Sequence, residues 1–243
     1  MNTGWLPWII GLCAALIVGL TKTGIPGIGI LATPLMVSVF PAKQSVGAML
    51  PMLIVADIFA VVYYSKHTRW RRLIELFPSV LAGMVIGACV LGKLDSAQLK
   101  PLLGILILSL LLLEVARRKF NWTDVPHQRW FTIVMGALAG FATTVGNVAG
   151  PIMNIYLISK GLKKEHFMGT IAWYYFIINC TKVPIYLFLG MINSETLQFD
   201  LKMLPLIVVG ALVGRWVLGK ISQDLFKSLV LILAAFAAIC LLF

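Results

Sequence analysis

The stretch Thr23-Gly24-Ile25-Pro26-Gly27-Ile28-Gly29-Ile30-Leu31-Ala32-Thr33-Pro34-Leu35-Met36-Val37-Ser38-Val39-Phe40-Pro41-Ala42 decides the fold. It carries no charge, so it suits the interior of a bilayer. Gly24, Pro26, Gly27, Gly29 and Pro34 nevertheless exclude one smooth helix. Irregular backbone at membrane depth is tolerated only where protein surrounds it or it lines a cavity. Lys22 stands immediately before it. A broken, charge-free segment beside a cation reads as half of an anion site, with the other half expected later in the chain.

The rest of the chain supports a membrane setting. Of 243 residues, 60% are hydrophobic and only 12% charged, and the mean hydropathy is +0.96. Apolar runs recur from end to end, the pattern of an all-α polytopic membrane protein. We expect no cleaved signal peptide, since no basic region precedes the first apolar run, and no soluble domain. The net charge of +11 lies in short loops between apolar runs. That placement suits topology signals rather than nucleic-acid binding. Cys13, Cys89, Cys180 and Cys240 sit inside apolar segments without CxxC spacing, so they are expected to be small packing residues, not metal ligands.

Ten apolar segments can be counted. They begin with 5–20, the broken 23–42, 47–64, 73–92 and 101–116. The uncharged run 130–159 would be about 45 Å long as one helix, against about 30 Å of hydrocarbon. Gly146-Asn147-Val148-Ala149-Gly150-Pro151 interrupts it, so it divides in two. The segments 167–190, 203–219 and 225–243 complete the set.

The two halves resemble each other. Gly29 to Pro34 has the spacing of Gly146 to Pro151. Gly83, Gly87 and the run Val90-Leu91-Gly92-Lys93 match Gly210, Gly214 and Val217-Leu218-Gly219-Lys220. These matches, in the same order, predict an internal repeat: 1–120 and 121–243, within one membrane domain. If each half is a broken-helix hairpin plus three transmembrane helices, it crosses an odd number of times and the halves are inverted (8–10 membrane segments in all). One side then collects thirteen cations, from Lys66 and Arg69 to Lys220 and Lys227; the other collects Lys43, Lys93, Lys100 and Lys202. The positive-inside rule puts the larger set in the cytoplasm and both termini outside. Inverted repeats with discontinuous helices are typical of secondary transporters.

Few polar residues lie deep. Lys22 and Lys182 are cations away from loop ends, and Asp57 is an acid in mid-span. Such groups are costly in hydrocarbon and point to function unless they form a structural pair. Asn179 and Lys182 share a helix face, and in the repeat Asn179 falls opposite Asp57. Arg215, Glu75 and Glu114 lie close to basic loops and are expected to be surface charges. A helix restarting after each break, near Ile30 and near Val148, would aim free N–H groups and its positive end at an anion. We therefore expect the substrate contacts to be Lys22, Thr23, Gly27, Gly29, Thr143, Thr144, Asn147, Gly150, Asn179 and Lys182, with Asp57 the residue for proton coupling. No HExxH, GxSxG, acid pair in a span or nucleotide-binding motif is present, and His67, His127 and His166 fall in loops. No enzyme, metal or cofactor is expected.

At Gly19-Leu20-Thr21-Lys22-Thr23-Gly24, Gly27-Ile28-Gly29, Ala56-Asp57-Ile58-Phe59-Ala60, Gly146 to Pro151 and Asn179-(x2)-Lys182-Val183-Pro184, the chain resembles the sulfite exporter TauE/SafE family of permeases. Many members carry three consecutive glycines at each break, where this chain has Gly27-Ile28-Gly29 and Asn147-Val148-Ala149-Gly150. The resemblance implies a permease for sulfite, organosulfonates or other small sulfur-containing anions, working in the direction of export, in a bacterial cytoplasmic (inner) membrane. Its partners would be the anion, membrane lipid and, as a coupling ion, protons. A passive anion channel on the same scaffold is the alternative.

Overall fold

The structure, a computed structural model, describes residues 5–24, 28–119, 128–217 and 239. Among these residues it is helical with no strand. The order is α1 (Leu6–Thr23), a 3₁₀ turn (Ile28–Leu31), α2 (Ala32–Val37), α3 (Ala42–Tyr64), a second 3₁₀ turn (Ser65–His67), α4 (Trp70–Lys93), α5 (Ser96–Lys119), α6 (Arg129–Gly146), α7 (Gly150–Ser159), α8 (Lys164–Phe188) and α9 (Ser194–Val217). The apolar run 225–243 lies outside the described residues, as does the boundary between the two expected halves at 120–121.

Among the described residues, five stretches are long and apolar enough to cross a membrane: α1, Ala42–His67, α4, Ser96–Ala116 and Ser194–Gly214. Large apolar side chains such as Val62, Ile74, Val85 and Leu112 are exposed on them, as a lipid-facing surface requires. The chain is an all-α polytopic membrane protein.

Both breaks fall where glycine and proline predict them, but their forms differ. α1 continues through Lys22 and Thr23 and ends with the Gly24 N–H on Leu20 O at 2.9 Å. The chain resumes as a 3₁₀ turn and a six-residue α2. α6 instead runs to Gly146 itself and restarts as the ten-residue α7. The similar spacings of Gly29–Pro34 and Gly146–Pro151 thus sit at different distances from the preceding helix.

Small residues set the helix packing. A Cβ on Gly83 would collide with Ala137 O and one on Gly140 with Val80 O, so α4 and α6 touch backbone to backbone. Gly87 lies further along against Phe141 and Thr144. Contacts therefore advance together along both helices, which run parallel. α1 and α9 pack by the corresponding set: Gly210 on Leu16 O, Gly19 on Ile207 O, and Gly214 on Leu20 and Thr23. α3 and α8 lie against each other between these pairs.

Three expectations need correction. α9 begins at Ser194, well before the apolar run at Met203, because Thr196 and Asn193 cap its first turn through reciprocal bonds of 2.9–3.0 Å; Asp200 and Lys202 are thus helical rather than in a loop. Glu114 is buried. Cys13, Cys89 and Cys180 are exposed on the outer faces of their helices rather than packed inside. Glu75 fits the surface reading, paired with Arg71 at 3.1 Å and Arg72 at 3.2 Å. The side chain of Arg215 and the whole of His127 lie outside what is described, while His166 stands in the first turn of α8 against Arg69.

Candidate functional site

α8 carries most of the polar chemistry. Tyr175, Asn179, Lys182 and Tyr186 recur every three or four residues, so they share one face. That face meets α1, α3 and α6. Asn179 donates from Nδ2 to Asp57 Oδ2 at 2.6 Å. Asp57 Oδ1 lies 2.8 Å from Lys22 Nζ, with both side chains buried. Lys22 Nζ also stands 3.7 Å above the Tyr175 ring centroid, a cation–π contact that supports an ammonium out of water.

Lys182 is fully buried and belongs to a second group. Its Nζ donates to Asn147 Oδ1 at 2.6 Å, Thr143 O at 3.1 Å and Thr143 Oγ1 at 3.2 Å. Asn147 stops α6: it adopts left-handed backbone, φ 58°, and its N–H returns to Thr143 O at 3.0 Å. Asparagine tolerates that conformation better than most side chains. Its Nδ2 donates to Val46 O on α3 at 3.0 Å, which fixes the amide so that Oδ1 faces Lys182. Thr33 of α2 donates to Gly146 O at 2.8 Å. One break therefore satisfies a carbonyl left open by the other.

A cavity lies where the breaks meet. Thr21, Lys22, Gly29, Asn147, Gly150 and Tyr175 all line it. It offers about 50 Å³ to the centres of water-sized spheres. Since one water needs about 10–15 Å³ by that measure, it holds a few waters or one small ion. Gly150 opens α7, and Pro151 at the second helical position lacks the N–H that would be unpaired there.

The expected contact residues thus fall into three sets. Lys22, Gly29, Asn147 and Gly150 line the cavity. Asp57 and Asn179 stand behind Lys22, and Thr143 and Lys182 behind Asn147. The Thr23 hydroxyl is turned to Ala211 O at 2.6 Å and the Thr144 hydroxyl to Gly140 O at 2.8 Å. Gly27 lies outside the described residues.

Three polar lining residues escaped the sequence reading: Thr21, Asn154 and Tyr175. Tyr175 was legible as one turn before Asn179 on the same face. Asn154 was legible as the polar residue one turn into the helix after Gly150. Thr21 had no signal beyond its place beside Lys22.

No curated protein and no solved structure matches this chain. The family model described as Sulfite exporter TauE/SafE matches residues 9–241. With nearly its whole length matched, the chain belongs to the sulfite exporter TauE/SafE family.

Proposed function

We propose that this protein is a secondary transporter of small sulfur-containing anions, sulfite or a short organosulfonate, working in export by alternating access of two inverted halves. The observation that carries the reading is the small cavity where both helix breaks meet, with Lys22 in its wall and Lys182 directly behind Asn147. Its size suits a small oxyanion, and its wall supplies a cation, amide groups and the unpaired N–H groups that open α7. Membership of a sulfite exporter family names the anion class.

Inversion of the halves is supported by the helix contacts. Gly83 on Ala137 and Gly140 on Val80 have as counterparts Gly210 on Leu16 and Gly19 on Ile207. Tyr64 donates to Thr23 O at 2.8 Å, and Tyr186 to Thr144 O at 2.7 Å. In each comparison a residue of the first half is replaced by its counterpart in the second. The parallel course of α4 and α6, and of α1 and α9, is what an inverted relation requires. The turn between α3 and α4, with Lys66 and Arg69, and the first turn of α4, with Arg71 and Arg72, face the cytoplasm on this reading, and the N-terminus lies outside.

Flux of ³⁵S-sulfite in proteoliposomes tests this. Saturable flux driven by an imposed ion gradient is expected, with competition from sulfonates. Flux that does not saturate and follows voltage alone would indicate a passive channel, and absence of flux for every sulfur anion would contradict the proposal.

A further inference from the structure

One acid inside a span stands apart from the site. α9 packs against α1 and α3. Asp200 lies on its inward face, 4% exposed, with Thr196 one turn before it and Met203 one turn after it also buried. Both carboxyl oxygens are shut off from solvent, and among the described residues neither has a hydrogen-bond partner. Thr196 keeps its hydroxyl on Asn193 O at 2.9 Å. Among the described residues no ion pair includes Asp200 either.

The ionisable groups of the packed helices are engaged or face elsewhere. On α1, Cys13 is on the outer face and Lys22 pairs with Asp57 of α3. α3 also has Lys43 in its first turn, only partly buried, and Tyr63 and Tyr64 at its far end. α9 itself adds Glu195, which is exposed, Lys202, whose Nζ stands 4.7 Å over the Trp8 ring, and Arg215 about four turns on. A buried carboxylate with neither counter-charge nor hydrogen bond is far more costly than the neutral acid. In this conformation Asp200 therefore carries its proton.

Its place in the fold gives that proton a consequence. Gly11 of α1 meets the Phe199 ring, and Gly47 of α3 meets Met191 O just before α9. The starts of α1, α3 and α9 thus share one end of the molecule, the outer end on the orientation above. The cavity extends the other way: Ala60, Met168 and Ile171 line it, and Gly169 touches the turn between α3 and α4. Toward the outer end stands Leu53, which packs in one cluster with Met49, Met52, Met203 and Phe199. An anion leaving for the outside needs this layer to part, and Asp200 lies beside it, between Phe199 and Met203 in the chain.

We infer that Asp200 is a proton-binding site in the outer closure of the transporter: it is protonated while the starts of α1, α3 and α9 are packed together, and it gives the proton to water on the outside when they part. The inference rests on the transport reading above for which end is outside and for what opens. Closure takes up one proton, so acid favours it. Where the open form is ionised and the closed form is not, each pH unit upward weakens closure about tenfold.

Infrared difference spectroscopy of the protein in bilayers reads the proton. Parent minus Asp200→Asn should show, at neutral pH, the C=O stretch of a protonated carboxyl; a carboxylate band in its place would overturn the inference. Opening is read by one cysteine, Met49→Cys, in a background of Cys13→Ser, Cys89→Ser, Cys180→Ser and Cys240→Ser. Intact cells are labelled from outside with a membrane-impermeant maleimide. Dividing the rate with Asp200 by the rate with Asp200→Asn at each pH cancels the titration of the thiol. The ratio should be near one in acid and rise by up to about tenfold per pH unit in alkali. A ratio that stays level would overturn the inference. Asp200→Thr replaces the asparagine variant if that does not fold; failure of both to fold would show that a carboxylate is required and would overturn it too. Neither readout uses sulfite, so absence of sulfite flux in the parent would strike the transport reading separately.

Discussion

Asn179 Nδ2 lies 2.6 Å from Asp57 Oδ2, joining α8 to α3 through two buried side chains. The two residues occupy corresponding places in the proposed repeat, so their contact sits where an axis relating the halves would pass. Exact symmetry would give two identical side chains. Here one is an acid and the other an amide, and the acid is satisfied by Lys22 from α1, where the second half has Thr143. On the proposed repeat, the halves would have diverged at the site while keeping corresponding contacts around it.

Breaking that arrangement should be costly. Asp57→Ala leaves Lys22 buried without its counter-charge, and removal of one partner of a buried pair costs about 3–5 kcal/mol. Thermal unfolding in detergent should show a large drop in Tm for Asp57→Ala, with partial recovery in the double variant Asp57→Ala, Lys22→Met. Equal stability of the single variant and the parent would mean that the pair is not formed.

Lys182 should act through Asn147. A charge-assisted hydrogen bond is worth about 1.5–3 kcal/mol, so Lys182→Met and Asn147→Ala are each expected to weaken anion binding about 10–100-fold. Because the two residues share one interaction, the double variant should lose much less than the sum. Full additivity in the cycle would separate their roles.

The Tyr175 ring, rather than its hydroxyl, supports Lys22. Tyr175→Phe should leave sulfite affinity near the parent value, while Tyr175→Leu should reduce it by about 0.5–2 kcal/mol. A loss in Phe as large as in Leu would move the role to the hydroxyl.

Close helix packing should make counterpart glycines behave alike. Gly140→Val and Gly19→Val each push a side chain into a facing carbonyl, of Val80 and Ile207. Both should destabilise by about 1–3 kcal/mol or more. Cys180→Ser, on an outward face, should be nearly neutral by the same unfolding measurement. A neutral valine at either glycine would contradict the backbone contact.

Much of this architecture was legible before any coordinates. Gly24 to Pro34 and Gly146 to Pro151 marked both breaks, since uninterrupted helix is excluded there. The matched glycines Gly83, Gly87, Gly210 and Gly214 stood out as a repeat, and the structure puts them in two helix interfaces. Lys22, Asp57 and Lys182 stood out because buried charge in a span needs a reason. What remained hidden was which side chain faces which. Lys22 reads as a free cation until Asp57 is found beside it, and Thr23 and Thr144 read as donors to a ligand until their hydroxyls are seen on backbone carbonyls. Such choices depend on helix rotation, which spacing within one segment does not encode. The start of α9 was missed because hydropathy marks the apolar part of a helix, whereas the Asn193–Thr196 cap lies in its polar first turn.

On the proposed function, a small sulfur anion binds between the two breaks. Equilibrium binding of ³⁵S-sulfite to the purified protein tests it most directly, comparing the parent, Asn147→Ala, Lys182→Met and Cys180→Ser, each checked for folding. Saturable binding is expected in the parent and Cys180→Ser, and at least about tenfold weaker binding in the other two. Parent-like binding by folded Asn147→Ala and Lys182→Met would place the anion elsewhere and contradict the account.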